Sequence, residues 1–332
     1  MEILPKPSHN RHNGTTINSK LLSLILFSVV LTACDNAPKA EKTVHLAPDG
    51  VFSAALSEHY ALLGTVQGNA ELWQLSPKTL LHTWQHTDAG NGIIEVAIAG
   101  NEEFAITAER DSIAWWRITD GQLLGVWSLP EISAVSLSAD GQFALIGLKD
   151  KAIYFALAYG QTIYAFPHQQ PVTTTAIALD NSFAITGSED ESAKLWRLDN
   201  GELAQTWQQQ NKLATVALSA DGKYALTNAA LSQTQIWRTA TGRLATDIGP
   251  KLMTVSAAAF SPDGKYLVTG RTSQRIDLWN TASGRMITFW RPVKDTRWRP
   301  SAATILALAF TPDGKKIYSI AANGYLKRVA TS

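Results

Sequence analysis

An aromatic landmark returns through this chain with a period of about forty residues, and that period limits what the chain can fold into. Trp73, Trp116, Phe155, Trp196, Trp237 and Trp279 end short apolar runs in the strings LWQL, WWRI, YFAL, LWRL, IWRT and LWNT, and Lys327 in LKRV holds the same place in a seventh copy. Successive landmarks are 43, 39, 41, 41, 42 and 48 residues apart. The clearest copy runs from Thr174 to Trp207. Its four apolar runs are Ala176–Leu179, Phe183–Thr186, a run ending at Leu195-Trp196 and a run closing at Trp207. Asp180-Asn181, Gly187–Glu191 and Asn200-Gly201 separate them. Asp, Asn and Gly accept the positive φ of tight hairpins, so each copy is predicted to be a four-stranded antiparallel meander. One such sheet cannot cover both its faces, so copies must stack on one another.

Seven copies at this period predict an all-β, seven-bladed β-propeller. The blades are expected at 52–84, 94–127, 133–166, 174–207, 214–248, 255–290 and 305–330. The first strands are rich in small residues, as in VAIAG, TAIALD, TVALS, SAAAF and LALAF. The fourth strands end in Trp84, Trp127, Phe166, Trp207 and Trp290. A wedge-shaped blade needs that gradient, with small side chains at the crowded axis and large ones filling the gaps between blades at the rim. The tryptophans are therefore read as core between blades. The last copy has only three strands, while Lys42–Leu46 (KTVHL) precedes the first copy. Aligning EKTVHLAPDGVFSAALS with GQLLGVWSLPEISAVSLS sets His45 under Trp127, which makes Lys42–Leu46 a fourth strand. It is expected to complete the last blade and remove two open sheet edges.

The pattern resembles the WD40-repeat family: strand, Ser-x-Asp-Gly turn, strand, polar turn, strand ending in Leu-Trp, Gly turn, strand. The Asp-Gly turns are Asp140-Gly141, Asp221-Gly222, Asp263-Gly264 and Asp313-Gly314. The resemblance covers residues 42–330. A quinoprotein-type propeller would set the aromatic four residues after the turn Gly; here Gly121–Trp127, Gly160–Phe166, Gly201–Trp207 and Gly284–Trp290 are all six apart. The family's Gly-His pair is missing, with only His86 and His168 near its place, and its turn Asp survives only at Asp111, Asp150 and Asp190. Those departures put the family's buried His–Asp hydrogen-bond network in question for this chain.

The N-terminus carries a different signal. After Lys20 comes LLSLILFSVVLTAC, thirteen uncharged residues from Leu21 to Ala33 before Cys34. As a helix they reach roughly 20 Å, too short for a hydrocarbon core of about 30 Å, and they read as a secretory signal, residues 1–33. Leu31-Thr32-Ala33-Cys34 resembles the bacterial lipobox. That resemblance implies cleavage before Cys34, the only cysteine in the chain, and its lipidation. Asp35, next to it, would be the signal for retention in the inner membrane. Residues 34–41 are then the lipidated Cys and a polar linker, and 42–332 the propeller, lipid-anchored in the cell envelope and facing the periplasm. Seven linker residues reach at most about 25 Å, so the ring is expected to stay close to the bilayer.

Net charge is +1, and without residues 1–34 the chain holds 26 basic and 27 acidic residues. Near-neutrality gives no support for nucleic-acid binding. No GxSxG, GxGxxG, P-loop or HExxH is present, so no catalytic residues, metal site or cofactor are assigned. His82 and His86 share one strand face, without a third ligand nearby in sequence. One stretch breaks the period: Arg291–Thr304, RPVKDTRWRPSAAT, which accounts for the last spacing of 48. Arg291, Lys294, Arg297, Trp298 and Arg299 lie in it, and the family's topology would put Arg271 and Arg275 on the same face. Arg and Trp on a loop are what interface hot spots are made of. The expectation is a monomeric, non-catalytic scaffold whose partner is a protein at or near the membrane. The alternative is an enzyme or small-ligand binder using the central channel.

Overall fold

The computed structural model describes residues 40–86, 92–293 and 303–331. Cys34, Asp35, Lys294, Arg297, Trp298 and Arg299 lie outside the described residues.

Turn chemistry shapes the local structure. Asn181 takes φ 56° and Gly201 φ 75°, the left-handed values that tight turns between strands require. In four other copies the carboxylates of Asp140, Asp221, Asp263 and Asp313 each accept the hydroxyl proton of a Ser or Thr two residues earlier and the backbone N–H two residues later. The same hydroxyl oxygens accept the N–H of the residue five positions on: Phe143, Tyr224, Tyr266 and Lys316. Each turn is thus held from both sides by hydrogen bonds within its own residues.

Among the described residues the strands form seven four-stranded antiparallel sheets. Six are consecutive meanders, such as Val172–Ile177, Phe183–Ser188, Ser192–Arg197 and Leu203–Gln208. The buried apolar residues fall into seven clusters, each shared by two neighbouring blades. The aromatic that ends a fourth strand meets the landmark of the next blade. Trp84 stacks on Trp116 with centroids 5.0 Å apart, Phe166 on Trp196 at 4.6 Å and Trp207 on Trp237 at 5.3 Å, while Trp127 meets Phe155 edge-on at 5.6 Å. Burying a Trp contributes roughly 4–6 kcal/mol from area alone. The tryptophans are therefore the mortar between blades, as their spacing predicted.

The seventh sheet is built from both ends of the ring. Strand Ala40–His45 pairs antiparallel with Tyr325–Ala330, setting Val44 against Leu326 and His45 against Tyr325. The His45 ring stacks on Tyr325 at 4.0 Å. Glu41 takes Lys316 at 3.2 Å and Arg328 at 3.1 Å. The expected closure is present, with the strand beginning at Ala40. Leu46 N–H then donates to the Gly324 carbonyl, and Val51, Leu63 and Ile320 share one cluster, so the last blade packs on the first.

Two hollows lie along the first strands. One, of about 460 Å³, is lined by Leu56, Ile98, Leu137, Leu218, Phe260 and Phe310 with smaller residues between them. The other, of about 220 Å³, is lined where these strands begin, by Phe52, Glu95, Thr173, Thr215 and Ser256 among others.

Candidate partner-binding face

The turns between second and third strands share one end of the ring with the loops that lead into each blade. Backbone hydrogen bonds tie the two sets together: Val66 N–H to Gly50 O, Val172 N–H to Leu148 O, Glu189 N–H to Pro171 O, Ala230 N–H to Lys212 O and Ala322 N–H to Thr304 O. Arg271, Arg275 and Arg291 all belong to this end.

Beneath its surface run polar networks that the landmarks organise. In four blades the indole N–H donates to a Thr hydroxyl on the neighbouring strand: Trp116 to Thr107, Trp196 to Thr186, Trp237 to Thr227 and Trp279 to Thr269, at 2.8–2.9 Å. Between the third and fourth blades the chain extends further. His168 Nε2 lies 2.8 Å from the Thr186 hydroxyl and its Nδ1 lies 2.9 Å from Asp190 Oδ2. The carboxylate fixes the Nδ1–H tautomer, so Thr186 donates to Nε2. Burial resists ionisation of Asp190, but hydrogen bonds from the Ser192 hydroxyl, the N–H groups of Gln169 and Ser192, and His168 hold its carboxyl well below the usual range. Burial also holds His168 below its ordinary value, with Asp190 acting against it. The network in question from sequence is therefore complete at this boundary, and Asp190 is part of it. His86 sits likewise on Thr107 and Ser112, and burial pushes it down to about 4.

The sixth blade substitutes a charged arrangement. Asp277 is fully buried and takes Arg271 Nε and Arg275 Nε at 2.6 Å each. Arg275 also lies flat on Phe289, 3.9 Å from the ring centre, and donates to Met286 Sδ. The two side chains are only 13% and 25% exposed. Two guanidiniums on one carboxylate leave an excess positive charge at this edge, but most of both side chains is committed inward. Asp277 was missed in the sequence, where a single Asp between Ile and Leu looks like ordinary strand alternation.

What this face presents to solvent is partly apolar. Leu231 is 67% and Leu252 79% exposed. They flank the pairing of Ser232 with Met253, where the loop leading into blade six folds back beside the turn of blade five, and Leu231 N–H donates to Thr254 Oγ1. Leu231 also has φ 49°, a left-handed conformation that costs a non-glycine residue on the order of 1 kcal/mol. Lys251 precedes Leu252 in the strand Leu244–Met253, and Lys212 lies in the loop leading into blade five, where its carbonyl accepts the Ala230 N–H. The period-breaking segment begins at the same end of the ring, beside blade seven: Arg291 is exposed, Lys327 Nζ holds its carbonyl at 3.1 Å, and Asn323 Nδ2 holds that of Val293 at 2.9 Å. Ala303, where description resumes, is fully buried. Both ends of the segment are thus pinned to the ring.

The family model for "WD domain, G-beta repeat" matches residues 160–197 and 245–280. Two WD repeats therefore lie within the seven-bladed ring. Each matched stretch takes the fourth strand of one blade and the first three of the next, so a sequence repeat straddles a blade boundary, and the first match contains the whole Trp196–Thr186–His168–Asp190 chain. The ring brings no three His, Cys, Asp or Glu side chains into a metal-binding group among the described residues. His82 and His86 part company: His82 Nε2 meets the Ile118 carbonyl at 2.9 Å, while His86 turns to Thr107.

Proposed function

We propose that this WD-repeat propeller is a non-catalytic scaffold that docks a protein partner on the face spanning blades five to seven, tethered to a bacterial membrane through lipidated Cys34. The observation that carries the docking reading is Leu231, an apolar side chain kept exposed at a positive φ. Leu252, Lys212 and Lys251 lie in the segments beside it, Arg291 belongs to the same end of the ring, and Arg297, Trp298 and Arg299 are included in the proposed docking role from their residue types alone. Arg271 and Arg275 brace the edge of this face through Asp277. An apolar anchor with cations on the same face suits a partner with an acidic, partly apolar contact surface. The tether and the periplasmic side rest on the Leu31–Cys34 motif, and Asp35 favours the inner membrane.

The test is site-specific photocrosslinking in intact cells with the probe at position 231 or 252. A discrete adduct that disappears when Arg297, Trp298 and Arg299 become Ala supports the reading. Adducts no stronger than from a probe on the opposite face, at Leu179, reject it. Flotation of the protein with membranes, lost in Cys34→Ser, tests the tether separately.

A further inference from the structure

The hub hollow at the docking end holds the single ionisable residue that lines either hollow among the described residues, Glu95. At the register position it occupies, other blades carry Ser53, Ala134, Thr174, Thr215, Ala257 and Ala307, judged by which residue of the second strand each faces. A carboxylate has replaced a small side chain at the crowded axis. The strands packed against it, Val51–Leu56, Tyr60–Thr65, Phe104–Ala108 and Ala134–Leu137, carry no titratable side chain except Tyr60. Tyr60 follows the Ser57–His59 turn at the other end of the ring. No counter-charge therefore lies on the strands around Glu95.

Three of the six hydroxyl side chains lining this hollow give their protons to backbone carbonyls, while Ser53 Oγ has no partner. Thr173 donates its proton to the Leu213 carbonyl at 2.9 Å, Thr215 to Val255 at 2.7 Å and Ser256 to Gly270 at 3.3 Å. With their protons spent on the backbone, these oxygens offer only lone pairs to the hollow. Three hydroxyl acceptors beside one uncompensated carboxylate call for a ligand that is both positive and rich in N–H donors.

The geometry points to Glu95 as the anchor of a site for a primary ammonium group, entering the hollow from the docking end. Three N–H donors on one positive nitrogen match a carboxylate and hydroxyl acceptors. A free alkylamine or a lysine side chain of a bound protein would supply the same head. Burial pushes the Glu95 carboxyl up to about 7, so at neutral pH the empty site is part-protonated, and an arriving ammonium expels that proton. This site is independent of the Leu231 surface.

The experiment titrates the full folded propeller with n-butylammonium, tetramethylammonium, n-butanol and a blocked peptide bearing one Lys. Saturable binding of butylammonium or the Lys peptide, with none for tetramethylammonium or butanol, is expected. Glu95→Gln, close in size and shape, should weaken it by about tenfold or more, the loss of a charge-assisted hydrogen bond. Which of the two binds tells a free amine from a protein lysine. Calorimetry of the unsubstituted protein in two buffers of different ionisation heat gives a second reading, with proton release expected near pH 7. Equal affinity in Glu95→Gln, binding without proton release, or no saturable ammonium binding at all would overturn the assignment.

Discussion

His168 and Asp190 meet across the boundary between the third and fourth blades, with 2.9 Å between Nδ1 and Oδ2 and the imidazole withdrawn from solvent. Through Thr186 this pair reaches the indole of Trp196, so one hydrogen-bonded chain joins two blades and the landmark that packs them. Removing its middle member tests how much the chain contributes. Thr186→Val keeps the shape and strands both the Trp196 N–H and His168 Nε2, so a loss of about 2–3 kcal/mol is expected. In Thr269→Val only the Trp279 N–H loses this partner, and about 1 kcal/mol is expected. Urea unfolding, with midpoints compared at unchanged slope, separates the two cases.

Two opposing titrations govern stability in mildly acidic solution. His86 and His168 have folded values below 6.5. As pH falls below 6.5 the unfolded chain gains protons that the folded ring refuses, and stability drops, for His86 down to about 4. Glu95 has the opposite sign. Its folded value of about 7 lies above the ordinary 4.5, so its contribution is complete below 4.5 and is lost as pH rises toward 7. Each proton difference gives a slope of at most about 1.4 kcal/mol per pH unit. The unsubstituted protein should therefore show a shallow profile between pH 4.5 and 6.5. Glu95→Gln should unmask a steeper acid loss, and His86→Gln a shallower or inverted one. Melting temperature across this range checks the signs, and parallel profiles in all three proteins would contradict them.

Asp277 sits between two guanidiniums with no solvent contact. Asp277→Asn removes the charge and leaves Arg271 and Arg275 facing each other. Breaking a buried ionic group on one side costs about 3–5 kcal/mol, and that loss is expected here. Adding Arg271→Met should recover part of it by removing one stranded charge. Equilibrium unfolding of the single and double variants decides whether the cluster acts as a unit.

Ring closure depends on a strand contributed from the other end of the sequence. A chain starting at Leu46 would lack the partner of Tyr325–Ala330 and the Glu41 contacts to Lys316 and Arg328. It would leave an unpaired strand edge on blade seven, a template for pairing with another molecule. Lower unfolding temperature and self-association are expected, read by size-exclusion chromatography with light scattering. Added peptide spanning residues 40–45 should reverse the self-association if the free edge causes it.

The ring was legible because its geometry repeats. A small residue at the axis, an aromatic at the rim and Asp or Asn with Gly in the turns are required at every copy, so seven repetitions reinforce a weak local signal. The closing strand was legible for the same reason, since Lys42–Leu46 matched a place that seven-fold repetition left empty. What escaped was what occurs once. Glu95 is a single departure in a register of Ser, Ala and Thr, visible only after blades are aligned by pairing. Asp277 gains its meaning from Arg271 and Arg275, whose convergence depends on the turn between them. His168 and Asp190 were both noted in the sequence, yet twenty-two residues and a blade boundary separate them, and only the packing of one sheet on another brings their atoms together.

Leu231 offers a test in which stability and binding move in opposite directions. Its left-handed φ is unfavourable for Leu but tolerable for Asn, whose short polar side chain visits that region readily. The Leu side chain buries little in the ring, so replacing it forfeits little packing. Leu231→Asn should therefore stabilise the fold by a few tenths to about 1 kcal/mol. If the exposed leucine anchors a partner, the same substitution should also weaken crosslinking from position 252. A gain in unfolding temperature with lost crosslinking shows that strain is kept for binding. A gain with crosslinking unchanged would mean that Leu231 is not the anchor, and would return the docking role to Leu252 and the 294–299 stretch.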